Sequence, residues 1–108
     1  MYFPVSATLI EFLILAIVEK NDSYGYDIIQ IIKLVANIKE STLYPILKKL
    51  EKAGFLTTYS QEHQGRKRKY YAITSSGEVQ LLFLKKEWQK YTFAIDRIIE
   101  GSLRHDKD

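Results

Sequence analysis

The side chains of this chain best suited to a chemical task are cations. Arg66, Lys67, Arg68 and Lys69 form an unbroken row, and Lys48, Lys49 and Lys52 stand a short way ahead of them. Residues 48–72 hold seven basic and two acidic residues, against three basic and five acidic in residues 1–47 and six of each in residues 73–108. The formal net charge is only +3, so the positive field is local. A focused patch of lysine and arginine suits neutralisation of a phosphodiester backbone. The same charges would also serve as an ordinary solvated surface, with lysine blunting a strand edge. Catalysis has no comparable support. His63 and His105 have no evident carboxylate or nucleophile set around them, and there is no phosphate-cradling glycine loop. The chain has no cysteine, so disulfides and thiolate metal sites are excluded, and no metal or cofactor is expected.

The elements that must position these cations can be read in order. At 108 residues and 46% apolar content, the chain is one domain, or one domain with an extension, and can build a core. Ser6 caps a helix running to about Lys20, apolar almost all round and so buried on more than one side. Ser23 caps a second helix, with Asp27 in its first turn and Ile28, Ile29, Ile31, Ile32, Leu34 and Val35 along it, although its β-branched residues would also suit a strand. Ser41 caps a third, to about Ala53, with Pro45 in its first turn and Gly54 in a left-handed C-terminal cap. Phe55 to Tyr59 has strand composition, Gln61 to Gly65 is turn-like, and Lys69 to Ile73 returns as a second strand. Thr74 and Ser75 offer caps, Ser75 with Glu78 as a capping box, for a long helix to about Glu100 that Gly101 stops. Arg104 to Asp108 reads as a frayed tail. The expected fold is mainly α (α+β), a winged helix-turn-helix with a two-stranded β wing and a long C-terminal helix. Residues 1–74 are expected to form a winged helix-turn-helix DNA-binding domain, its first helix also in a dimer interface, and residues 75–108 a C-terminal dimerisation helix and short tail.

At about 100° per residue, Leu43, Ile46, Leu47 and Leu50 lie on one stripe of the third helix. Ser41, Pro45, Lys48 and Lys52 lie opposite, flanked by Thr42 and Lys49. A recognition helix needs this division, an apolar seam to anchor it and a protruding face of donors for a major groove. The hairpin adds Arg66, Lys67, Arg68 and Lys69, with Gly65 allowing close backbone approach. By alternation Tyr71 and Ile73 face the core and Tyr70 is more exposed.

In the last helix, Leu81, Leu84, Trp88, Tyr91, Ile95 and Ile98 follow a heptad-like spacing, and Val79, Phe83 and Ala94 form a second strip. We expect a homodimer built from this helix and the first, with Leu9 and Leu13 joining those six seam residues. The apolar stretch from Leu9 to Val18 contains Glu11 and is far shorter than the roughly 20 residues of a membrane span. The N-terminus lacks the features of a signal peptide. A cytoplasmic protein with no membrane partner is expected.

Three segments together resemble the PadR-like transcriptional regulators. Ser41-Thr42-Leu43-Tyr44-Pro45-Ile46-Leu47-Lys48-Lys49-Leu50-Glu51-Lys52-Ala53-Gly54-Phe55-Leu56 is similar to that family's recognition-helix signature. Tyr24-Gly25-Tyr26-Asp27-Ile28 is similar to the start of its second helix, and Gly65 to Thr74 with Gly77 to its wing. The single long terminal helix resembles the short subfamily. The resemblance implies a dimeric regulator, usually a repressor, on a palindromic operator in double-stranded DNA. It implies that Tyr24 and Tyr44 touch phosphates, that Ser41, Thr42, Pro45 and Lys48 sit at the major groove, and that Arg66 to Lys69 serve the wing. Some relatives bind flat apolar effectors between their last helices, which makes Trp88 and Tyr91 candidate effector-binding residues. The alternatives are a winged-helix module that binds protein without DNA affinity, and a single-strand or RNA binder, which would need exposed aromatics such as Tyr70 and Tyr59. An enzyme is not expected.

Overall fold

A computed structural model describes residues 3–105. The elements are α1 (Ala7–Lys20), β1 (Ser23–Tyr24), α2 (Gly25–Ile32), α3 (Glu40–Lys52), β2 (Leu56–His63), β3 (Arg66–Ile73) and α4 (Ser75–Glu100). The three strands form one antiparallel sheet in the order β1-β3-β2. The architecture is a winged helix-turn-helix of α+β type with a long terminal helix.

Helix α1 lies at the centre. Ser6 caps it, its hydroxyl accepting from the Leu9 N–H at 3.1 Å. Ile10, Ile14, Leu15 and Val18 are buried, and α1 packs against α2, α3, α4 and β3. Ile28, Ile29 and Ile32 of α2, Leu43, Leu47 and Leu50 of α3, Leu56, Tyr71 and Leu81 complete the core. No helix of the described residues is long and apolar enough to cross a membrane.

Several boundaries differ from those expected of the sequence. Helix α2 ends at Ile32, and Leu34 and Val35 lie in a tighter turn whose N–H groups donate to the Ile31 and Ile32 carbonyls. Ser23 does not cap α2: it pairs with Tyr71 as part of β1, and its hydroxyl donates to the Asn21 carbonyl at 2.7 Å. The expected two-stranded wing thus gains a short third strand at its base. Ser41 lies inside α3, which begins after Lys39 without a side-chain cap. Pro45 consequently stands in the body of α3, past its first turn. Its missing N–H leaves the Ser41 carbonyl without a helical partner, on an exposed face where water can reach it. The hairpin turn is shorter than expected. The strands run to His63 and from Arg66, leaving Gln64 (φ 52°) and Gly65 (φ 78°) as the two-residue turn whose positive φ values match the twist of the strands. The cap of α4 is Thr74, not Ser75, with Thr74 Oγ1 accepting from the Gly77 N–H at 3.0 Å. The tail beyond residue 105 lies outside the described residues.

The join between α3 and α4 is tight. Gly54 ends α3 at φ 83°, and the Phe55 N–H donates back to the Leu50 carbonyl at 3.0 Å. The Thr74 and Ser76 hydroxyls both donate to the Gly54 carbonyl, at 2.6 and 2.8 Å. A Cβ on Gly77 would collide with the Phe55 carbonyl oxygen and crowd Ile73, whereas a Cβ on Gly54 meets nothing within 4 Å. Gly77→Ala should therefore lower unfolding free energy by about 1–3 kcal/mol through overpacking. Gly54→Ala should cost about 1 kcal/mol, from its left-handed backbone alone. Urea denaturation of the two variants measures the difference.

Candidate nucleic-acid interface

The leucine stripe of α3 behaves as its spacing requires. Leu43, Leu47 and Leu50 are buried and Ile46 is partly so, while Ser41, Thr42, Tyr44, Pro45, Lys48, Lys49 and Lys52 are all exposed. Two carboxylates fix the helix. Glu40, in its first turn, accepts from Gln30 Nε2 at 3.2 Å and lies 3.7 Å from Lys33 Nζ, tying α3 to the end of α2. Glu51, near the other end, accepts from Thr58 Oγ1 at 3.1 Å and from Lys69 Nζ at 3.4 Å. Helix α3 and the β2–β3 hairpin are thus joined by one carboxylate.

That link changes the reading of the wing cations. Lys69 is engaged with Glu51 and lies 5.4 Å from the Tyr71 ring centroid. Burial pulls its pKa down, but Tyr71 and Glu51 outweigh that and hold it above the ordinary lysine value. Arg66, Lys67 and Gly65 are exposed at the hairpin tip. Arg68 turns to the other face of the sheet, over the Tyr24 ring. Lys49 is likewise less available than its position suggests, because its Nζ donates to Glu11 of α1 at 2.9 Å. Lys48 and Lys52 have no ion-pair partner among the described residues.

Tyrosines border the N-terminal half of α3. The rings of Tyr24 and Tyr26 lie 6.2 Å apart. The Tyr44 pKa is raised, first by burial and then by Glu40 and the neighbouring Tyr24, Tyr71 and Tyr26. The Tyr44 hydroxyl therefore keeps its proton well into alkaline conditions and remains a donor to an anionic oxygen. Tyr26, half exposed, is not among the residues that sequence spacing singles out; nothing marks it apart from the motif it shares with Tyr24. Gly25 between them is buried against Tyr71, which brings this segment onto the sheet.

The second candidate region lies along α4. Leu81 does not face outward as the heptad spacing implies: at 1% exposure it belongs to the subunit's own core, with Leu84 packed beside it. The seam opens only beyond them, at Trp88, Tyr91 and Ile98, with Ile95 partly buried. Leu9 and Leu13 are also partly buried. Leu9, Phe12, Leu84, Trp88 and Tyr91 line a cleft of about 310 Å³ between α1 and α4. Trp88 lies 6.1 Å from the Phe12 ring and 6.0 Å from that of Tyr91. The described residues contain no cluster suited to a metal ion.

Residues 14–82 match the model of the transcriptional regulator PadR-like family. A Streptococcus mutans protein of known crystal structure is 72% identical, covering 98% of this chain and 100% of its own, with a TM-score of 0.95. A PadR family transcription regulator from Clostridium difficile is 32% identical over 83% of this chain and 97% of its own, with a TM-score of 0.77. An uncharacterized protein of Lysinibacillus sphaericus is 42% identical over 82% of this chain and 86% of its own. On duplex DNA, Lys48→Ala should flatten the dependence of log affinity on log salt by about 0.9 for each phosphate that the lysine neutralises. Lys49→Ala should flatten it less, because Glu11 already holds that ammonium. Fluorescence anisotropy across a salt series separates the two.

Proposed function

The chain belongs to the PadR-like family of transcriptional regulators, non-enzymatic proteins that bind DNA, and on that premise we propose that it is a homodimeric repressor of a palindromic operator. The observation that carries this reading is the division of α3 into a buried leucine stripe and an exposed donor face, with the wing tied alongside through Glu51. In this reading the face of Ser41, Thr42, Pro45 and Lys48 enters the major groove. Tyr44, Lys52 and the hairpin tip take phosphates, and Lys49 adds to the field from one side.

The distal half of α4 supports a dimer. Phe93, Ile98 and Ile99 are 64%, 61% and 77% exposed, an apolar surface of the kind that marks an interaction site. A groove lined by Leu13, Ala16, Ile17, Ile31, Leu34 and Val35 lies between α1 and α2, an apolar counterpart for such a helix. A two-fold axis through this interface would set two α3 helices to read half-sites about 34 Å apart. With about four phosphates neutralised per subunit, the slope of log affinity against log salt is near −7. Light scattering should give a dimer at micromolar concentration, and anisotropy this slope. A monomer, or binding insensitive to salt, contradicts the proposal.

The aromatic cleft supports one further feature, release or modulation by a planar apolar effector held at Trp88 and Tyr91. Its volume of about 310 Å³ reaches the lower range of small-molecule sites. Trp88 is the sole tryptophan, so its fluorescence reports directly. Titration with planar aromatic drugs should quench it and lower DNA affinity in parallel; unchanged emission across the panel contradicts an effector site here.

A further inference from the structure

The base of the wing carries a row of aromatic rings. Tyr24 faces Tyr70 across β1 and β3, and Tyr70 faces Tyr59 across β3 and β2. The three side chains therefore share one face of the sheet, opposite to that of buried Tyr71. Tyr24 and Tyr70 have ring centroids 6.0 Å apart, while Tyr70 and Tyr59 are 5.7 Å apart and nearly parallel at 12°. The Tyr59 hydroxyl donates to Asp22 Oδ2 at 2.9 Å, which anchors the far end of the row. That hydrogen bond is the main reason its pKa is raised, so the anchor persists through neutral and mildly alkaline pH.

Arg68 stands two residues from Tyr70 along β3, on the same face. Its guanidinium carbon lies 4.6 Å from the Tyr24 ring centroid, well within cation–π range. It is the one partly buried side chain among the four wing cations. Lys69 is held by Glu51, and Arg66 and Lys67 project from the tip. We propose that Tyr24 is a positioning residue that acts on DNA binding through its ring, which, buttressed by Tyr70 and Tyr59, presets the Arg68 guanidinium for insertion into a minor groove. The inference rests on the DNA-binding reading above and goes beyond it, since a phosphate contact would use the Tyr24 hydroxyl instead.

The physical basis is pre-organisation. A free arginine side chain loses many rotamers when it enters a groove, and a stacked one has lost most of them already. The planar guanidinium stacks on an aromatic face in a way that a lysine ammonium does not reproduce. Narrow A·T-rich minor grooves attract arginine strongly, so a preset Arg68 reads groove width at the flank of the major-groove site.

The test uses the full chain and a duplex that the wild-type protein selects from a randomised pool. Tyr24→Phe, which keeps the ring, should bind within about twofold of wild type, whereas Tyr24→Leu and Arg68→Lys should each weaken binding about fivefold. The double variant Tyr24→Leu with Arg68→Lys should be no weaker than the weaker single, because both remove one interaction. Equal losses in Tyr24→Phe and Tyr24→Leu would overturn the inference in favour of a hydroxyl contact. Losses that multiply in the double variant would overturn it in favour of independent roles. In the free protein, the Arg68 side-chain resonances should carry an upfield ring-current shift, kept in Tyr24→Phe and abolished in Tyr24→Leu. Its absence from the wild type would overturn the platform itself. Failure of the wild type to select any duplex contradicts the underlying function instead, a result distinct from these.

Discussion

Ile10, Ile14 and Leu15 of α1 have no exposed surface, and every other helix of the subunit packs against the helix that carries them. This burial is the constraint from which the functional surface follows. Because α1 presents apolar side chains around most of its circumference, α2 and α3 settle against it by their isoleucine and leucine stripes, and α4 by Leu81. Once Leu43, Leu47 and Leu50 are committed inward, helical geometry leaves Thr42, Pro45 and Lys48 facing outward. The donor face of α3 is a consequence of where its leucines must go.

Charged groups refine this frame more than they stabilise it. Glu11 reaches Lys49, Glu19 reaches Lys85, Glu40 meets Gln30 and Lys33, and Glu51 meets Thr58 and Lys69. Exposed pairs of this kind contribute about 0–1 kcal/mol each, so their role is to set angles between elements. Adjacent residues of α1 serve different neighbours. Glu11 pairs with Lys49 of α3, and Phe12 lines the aromatic cleft beside Trp88. One turn of one helix therefore borders both α3 and the aromatic cleft.

Features set by local spacing were legible in the sequence. The leucine stripe of α3, the Ser6 cap, the left-handed glycine at residue 54 and the extent of α4 up to Gly101 follow from periodicity and backbone chemistry. Features that depend on distant partners were not. Ser23 reads as a helix cap until β3 arrives to pair with it, and its two-residue strand is too short to leave a pattern. Leu81 fits a heptad seam, and only the packing of α4 on α1 reveals that the core claims it. Lys49 looks as available as Lys48, because Glu11 lies far off in the chain. The tyrosine row needs the register of three strands at once, whereas Tyr70 alone signals no more than an exposed ring.

The central claim is that the exposed face of α3 enters a major groove twice, once from each subunit. Methylation protection of guanine N7 on a duplex selected by the wild-type protein tests it most directly, because that atom lies in the major groove. The account predicts two protected segments centred about one helical turn apart, some 34 Å, on one face of the duplex. A single protected segment, or binding that leaves guanine N7 reactive throughout, would contradict it.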